Sequence, residues 1–225
     1  KGYAFFSGSA VGETNAGTWI TVKDIQGAAF PTVSRETTGI SKLNPELESM
    51  TLESWVYIPP QANEGQTIVT KMSESSVGYD GFALTLSASS DTNFASARFY
   101  VASHSIGNSV SFAIPKGAWS NVAIVWDRNP NSNQIFAYVN QNLTGSSSIF
   151  EIGETFWEGN NLLIGSGSSF SFGGFSHTET TTFSGALDDF RIWHSVRTAE
   201  VRAEWYKKAV YSSDERQHQR LQQRD

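Results

Sequence analysis

Two adjacent carboxylates, Asp188 and Asp189, stand in the stretch GALDDFRIW (Gly185 to Trp193), among residues that otherwise read as a β-strand. Asp is depleted from strands, and a buried carboxylate without a partner is costly, so something must satisfy both side chains. Strand alternation predicts Leu187, Asp189, Arg191 and Trp193 on one face and Asp188 on the other. The simplest partner for Asp189 is a hydrogen-bond donor in the loop or turn beside it.

Other carboxylates invite a catalytic reading. Cleaving a glycosidic bond needs two of them held at a fixed separation across the scissile bond. The stretch FEIGETFWEG carries Glu151, Glu154 and Glu158, but spacings of three and four do not share a strand face, and its glycines read as loop. The chain has no Gly-x-Ser-x-Gly elbow and no His-Glu-x-x-His. His104, His177, His194 and His218 are far apart, and a triad assembled only by folding is left open. GSGSSFSFGG lacks the lysine and the following helix of a phosphate loop. No catalytic residue is assigned.

Binding chemistry has better candidates. The segment SGSSFSFGGFSHTETTTF places Phe170, Phe172, Phe175 and His177 among glycines and hydroxyls, and it is too long for an ordinary hairpin. An aromatic face with hydroxyls beside it suits a pyranose, whose ring faces are apolar and whose edges are polar. The alternative is that these phenylalanines fold back over a sheet edge. SSVGYDG adds Tyr79 and Asp80, and ETFWEG adds Trp157, as further loop candidates. Trp55, Trp119, Trp126 and Trp193 lie within strands and read as core, and Trp19 reads as a strand residue.

These residues need a scaffold. At 225 residues the chain can hold a substantial core. Its 22 acidic and 16 basic residues give a formal charge of −6, which argues against nucleic acid and anionic membranes as partners. No run approaches the length of a membrane span, and no signal peptide is evident, although a processed start would read the same way. With no cysteine, disulfides and zinc–thiolate sites are excluded, while the compartment stays open. Asn142 begins the sequon NLT.

Strand follows strand. MTLESWVYIPP alternates Leu52, Ser54, Val56 and Ile58 with Thr51, Glu53, Trp55 and Tyr57, and Pro59–Pro60 ends it because proline cannot donate to a ladder. QTIVTKM, GFALTLSA, SARFYVAS, WSNVAIVWD, QIFAYVNQ, NLLIGSG and TFSGALDDFRIW follow, divided by Ser/Gly/Asp turns. A helix is expected over about residues 198–211, with Thr198 as N-cap and Val201 and Trp205 four apart. Residues 212–225 read as a polar tail or a linker toward further domains, leaving residues 1–211 as one all-β antiparallel sandwich.

The series MTLESWVYIP, IVTKM, GFALTL, WSNVAIVWD, IFAYVNQ, NLLIG and FSGALDDFRIWHSVRTAEVRAEW, in that order, resembles the laminin-G-like jelly roll of the concanavalin A-like lectin/glucanase superfamily, with its pentraxin-like relatives. The resemblance runs over roughly residues 1 to 207, but residues 23–45 and 166–182 match nothing in it. It implies a two-sheet jelly roll and a structural Ca2+ held by Asp188 with backbone oxygens of Phe5 to Gly8, where Ser7 replaces the usual Asp. It also implies a buried bidentate pair of Glu53 with Arg191. The catalytic Glu-x-Asp-x-x-Glu of glucanase relatives is missing.

Three functions follow as expectations. The first is a non-catalytic glycan-binding, lectin-like module of a larger extracellular or cell-surface protein. The second is a protein–protein adhesion or structural domain on the same fold. The third is a glycoside hydrolase.

Overall fold

The computed structural model describes residues 3–10, 17–24, 43–76, 78–129, 133–155, 157 and 160–205. Two antiparallel sheets face each other. The front sheet runs β1 (Ala4–Phe6), β15 (Gly185–Trp193), β3 (Met50–Tyr57), β9 (Trp119–Asp127), β10 (Gln134–Val139) and β11 (Asn142–Ser146). The back sheet runs β2 (Ile20–Val22), β12 (Leu162–Ile164), β4 (Gln66–Thr70), β6 (Gly78–Leu86), β7 (Phe94–Ser103) and β8 (Ile106–Pro115), with β5 (Ser73–Ser75) paired on β6. The expected all-β jelly-roll sandwich is therefore the fold.

Period-two patterning builds its core. Leu52 and Val56 on β3, and Val122, Ile124 and Trp126 on β9, point inward against Phe82, Leu84, Phe99 and Val101 of the back sheet. Burying one such side chain is worth roughly 1.5–3 kcal/mol. Trp157 also belongs to this core, fully buried between Phe82 and Trp126, with its Nε1 donating to Ala102 O at 2.8 Å. It is therefore a structural residue rather than a loop platform. Lys71 is buried as well, its ammonium donating to Asp24 and, at 2.6 Å, to Asn160 O.

The long segment after Gly165 makes its own small hairpin, β13 (Phe170–Phe172) and β14 (Phe175–His177). Gly173 and Gly174 have φ of 53° and 85°, the left-handed pair that a two-residue hairpin turn requires. The hairpin lies on the outer face of the back sheet, where Phe170 and Phe172 pack on Ala83, Tyr100 and Ala102.

A bulge redirects β15. Pairing with β3 passes from Asp188–Trp55 to Arg191–Glu53, so Asp189 and Phe190 together oppose Ser54. Asp189 takes the extra position at φ 52°. The predicted face is thereby corrected: Leu187 points into the core, whereas Arg191 pairs with outward-facing Glu53 and Trp193 with outward-facing Thr51. Phe190 and Ile192 pack inward.

Helix α1 (Ala199–Trp205) follows. Thr198 caps it, its Oγ1 accepting from Val201 N–H at 3.4 Å. Arg202 lies 3.7 Å over the ring of Tyr138 on the front sheet's outer face. The expected continuation to residue 211 and the tail 212–225 lie outside the described residues.

The two seams of the sandwich differ. On one side β10 and β11 lie against β8, and a Cβ on Gly145 would come within 2.5 Å of Ser111 O, so glycine allows the close approach. On the other side, between β1 and β2, a cavity of about 220 Å³ reaches the core, with Tyr3, Ile20, Leu187 and Phe190 among its walls.

Candidate functional site

Outward-facing residues of the front sheet fall into cross-strand rows. Ala186 pairs with Tyr57, which pairs with Trp119. The small Ala186 leaves a dip in which aromatic rings meet: Tyr3 packs edge-on against Trp119 at 5.5 Å between centroids, and Tyr57 lies 5.8 Å from Trp119. Tyr3, Phe5 and Trp119 stay open to solvent at 61%, 66% and 38% exposure. Trp119 is thus a surface residue, not core, and Trp55 and Trp193 are half-buried on the same outer face. Trp19 precedes β2 and is exposed as well.

The next row supplies polar groups. Asp188 pairs with Trp55, and Trp55 with Asn121. Asn121 Oδ1 accepts from Gln141 Nε2 at 2.6 Å, and Gln141 Oε1 is buried with no hydrogen-bond partner among the described residues. Gln141 is held there by the β10–β11 turn, where Asn140 and Gln141 have φ of 51° and 70°. Asn121 is buried and Gln141 Oε1 is closed to solvent, so the open surface combines stacking rings and a carboxylate over an amide pair that braces the sheet beneath.

Below this surface the sheet is closed by charge. Glu53 sits within the fields of Arg197, Arg191 and Arg202, yet burial outweighs them and raises its carboxyl above the usual range. Its ion pair runs to Arg197 Nε at 3.8 Å, and Arg191 Nη2 instead reaches Asp189 Oδ2 at 3.4 Å. The expected bidentate Glu53–Arg191 contact is corrected accordingly: the two share a register position, and the bulge brings Asp189 to Arg191.

The expected calcium ligands do not converge. Ala4 pairs with Leu187 and Phe6 with Gly185, so Ser7 continues past one end of this ladder while Asp188 lies at the other, roughly 13 Å away at 3.3 Å per residue. Asp188 Oδ1 accepts the N–H of Asp189 at 2.9 Å. No group of three His, Cys, Asp or Glu suited to a metal occurs among the described residues. This donor set does not fit Ca2+ at the expected place.

The loop candidates form a second, mostly closed cluster. Phe170, Phe172 and His177 are buried, whereas Tyr79 and Phe175 are half-buried, each with its ring 5.8 Å from that of Phe172. Asp80 is buried and accepts from His104 N at 2.7 Å, which fixes the β7–β8 turn. His177 Nε2 lies 3.3 Å from Thr67 Oγ1, which donates to Glu179 Oε2 at 3.2 Å. Desolvation lowers the His177 pKa to about 4 and raises that of Glu179. Here the hydroxyl, not the imidazole, stands between the other two groups, and all three are buried, so the trio fastens β14 to β4 and offers no substrate access.

Glu151 and Glu154 are exposed in irregular chain, and Glu158 lies outside the described residues. His104 faces Asp80 and His194 faces Glu48, so neither joins His177, and His218 lies outside the described residues. The alternation of MTLESWVY and WSNVAIVWD already carried the signal for Tyr57 and Trp119, because their inward neighbours are Val56 and Ser120. Among the described residues no helix is long and apolar enough to cross a membrane.

A family profile described as the concanavalin A-like lectin/glucanases superfamily matches residues 33–201. The structure is similar to the binding domain of botulinum neurotoxin serotype D, with a TM-score of 0.56 at 14% identity over 86% of this chain and 40% of that one. The serotype C1 binding domain gives 0.55 at 12% identity, over 92% and 44% of the two chains. A native heptameric SAP-like pentraxin from Limulus polyphemus gives 0.49 at 19% identity, over 69% and 68%. At these identities the likeness is one of fold, and the chain spans less than half the length of the neurotoxin domains. No curated protein sequence matches it. The profile covers most of the chain and agrees with the two-sheet architecture: the protein belongs to the concanavalin A-like lectin/glucanase superfamily.

Proposed function

We propose that this domain is a non-catalytic module that binds a glycan on the outer face of its front sheet. The observation that carries the reading is the mutually packed set of Tyr3, Tyr57 and Trp119, of which Tyr3 and Trp119 are exposed, with Asp188 in the adjoining row. Rings of this kind take the apolar face of a pyranose, and a carboxylate beside them takes its hydroxyls. The family's lectin members give the reading context, as does the placement of Glu151 and Glu154 on exposed irregular chain rather than on one strand face. An extracellular or cell-surface setting within a larger protein is part of the same proposal.

A second reading has its own observation. Phe5, at 66% exposure beside this platform, is the kind of aromatic that anchors a protein partner. A glycan array probed with the wild-type domain and with Trp119→Ala separates the two. The glycan reading expects specific signals that Trp119→Ala abolishes. A silent array, with a protein captured through the same face, would overturn it.

A further inference from the structure

The β1–β2 cavity opens beside this platform, and Tyr3 and Asp188 border both. Its walls are apolar, from Phe6, Ile164, Leu187 and Phe190, and its charged lining residues are Asp188 and Asp189; among the described residues no basic one lines it. Arg191 offsets the charge of Asp189 at 3.4 Å. Asp188 has no such relief. It accepts one backbone N–H through Oδ1 and has no ion pair among the described residues. Across the strands it stands between two aromatics: Trp55 is its register partner on β3, and Tyr3 precedes Ala4, the partner of Leu187, on β1.

An uncompensated carboxylate between aromatic rings, at the mouth of an apolar recess, is built for a cation with an apolar body. Alternate residues on one strand face are about 7 Å apart, so Asp188 lies roughly one sugar ring from the row of Ala186, Tyr57 and Trp119. A pyranose stacked on that row would bring a substituent on its own ring to the carboxylate. We infer, resting on the glycan reading above, that the preferred ligand is a glycan bearing a free-amine hexosamine, whose ammonium pairs with Asp188 while its ring lies on the Tyr3–Trp119 platform. Acidic glycans meet the opposite field, from Asp188 locally and from a chain of formal charge −6.

The test is an array of matched glycans in free-amine and N-acetylated forms, followed by titration of the strongest pair with wild type and Asp188→Asn. Asparagine keeps the acceptor for Asp189 N–H and removes only the charge. The inference expects the free-amine form to bind at least about tenfold more tightly, that preference to vanish in Asp188→Asn, and added salt to weaken wild-type binding. Equal binding of both forms, a preference for neutral or acidic glycans, or an amine preference that survives Asp188→Asn would overturn the inference and leave the platform reading standing. Loss of every glycan signal would overturn both.

Discussion

Asp188 and Asp189 answer each other's needs: the carboxylate of the first accepts the N–H of the second at 2.9 Å, and the second occupies a bulge at φ 52°. Left-handed backbone is tolerated by Asp, Asn and Gly and penalises β-branched residues. Asp189→Val should therefore cost about 1–2 kcal/mol, whereas Asp189→Gly should be close to neutral, the relaxed backbone offsetting the lost Arg191 contact. Chemical denaturation of the two variants checks this, and equal losses would mean that the bulge is not what restrains residue 189.

Asp188 itself should stabilise the fold by hydrogen bonding. Asp188→Ala should lower stability by about 1 kcal/mol, and the wild-type melting temperature should not respond to chelator or to added calcium. A calcium-dependent rise of several degrees that disappears in Asp188→Ala would restore an ion to this strand end.

Trp157 should behave as core. Trp157→Ala is expected to destabilise by about 3–5 kcal/mol, because a large ring packed between Phe82 and Trp126 leaves a cavity when it is removed. Tyr3→Ala should instead leave the melting temperature nearly unchanged and weaken glycan binding about tenfold. Calorimetry paired with a binding titration distinguishes the two roles.

His177 predicts an acid limit. Its folded-state pKa, about 4, lies below the ordinary 6.5, so its contribution is fully present above pH 6.5 and is lost as pH falls toward 4. Allowing for solvent screening, the loss is on the order of 2 kcal/mol. Facing it are Thr67, the ring of Phe170 and, through Thr67, Glu179, whose raised pKa works in the opposite sense and favours the fold as pH drops. Melting curves between pH 4 and 7 should fall for wild type and flatten for His177→Gln. Parallel curves would remove His177 as the cause.

The sheets were legible in the sequence because period-two alternation and Pro/Gly/Ser punctuation are local signals. MTLESWVY, WSNVAIVWD and Thr198 as a helix cap needed no tertiary information. The bulge did, because one inserted residue at Asp189 exchanges the faces of everything after it, and nothing in ALDDF marks the insertion. Phe170 and Phe172 were ambiguous for a similar reason. A short aromatic hairpin reads the same whether it faces water or, as here, a patch made by Ala83, Tyr100 and Ala102 from two distant strands. Trp119 shows the limit of composition alone: a tryptophan within a strand suggests core, but its parity, opposite to Ser120 and Val122, puts it on the outer face.

The unequal seams of the sandwich make its compliance directional. Along β8 and β11 glycine-assisted contact behaves like the spine of a book, while the cavity between β1 and β2 lies along the fore-edge. Opening should begin there, with β1 and β2, each three residues long, exchanging their amide hydrogens well before β7 and β8, which run for ten. A ligand seated across Tyr3 and Asp188 would tie β1 to β15 within one cover, slowing exchange in β1 far more than along the spine.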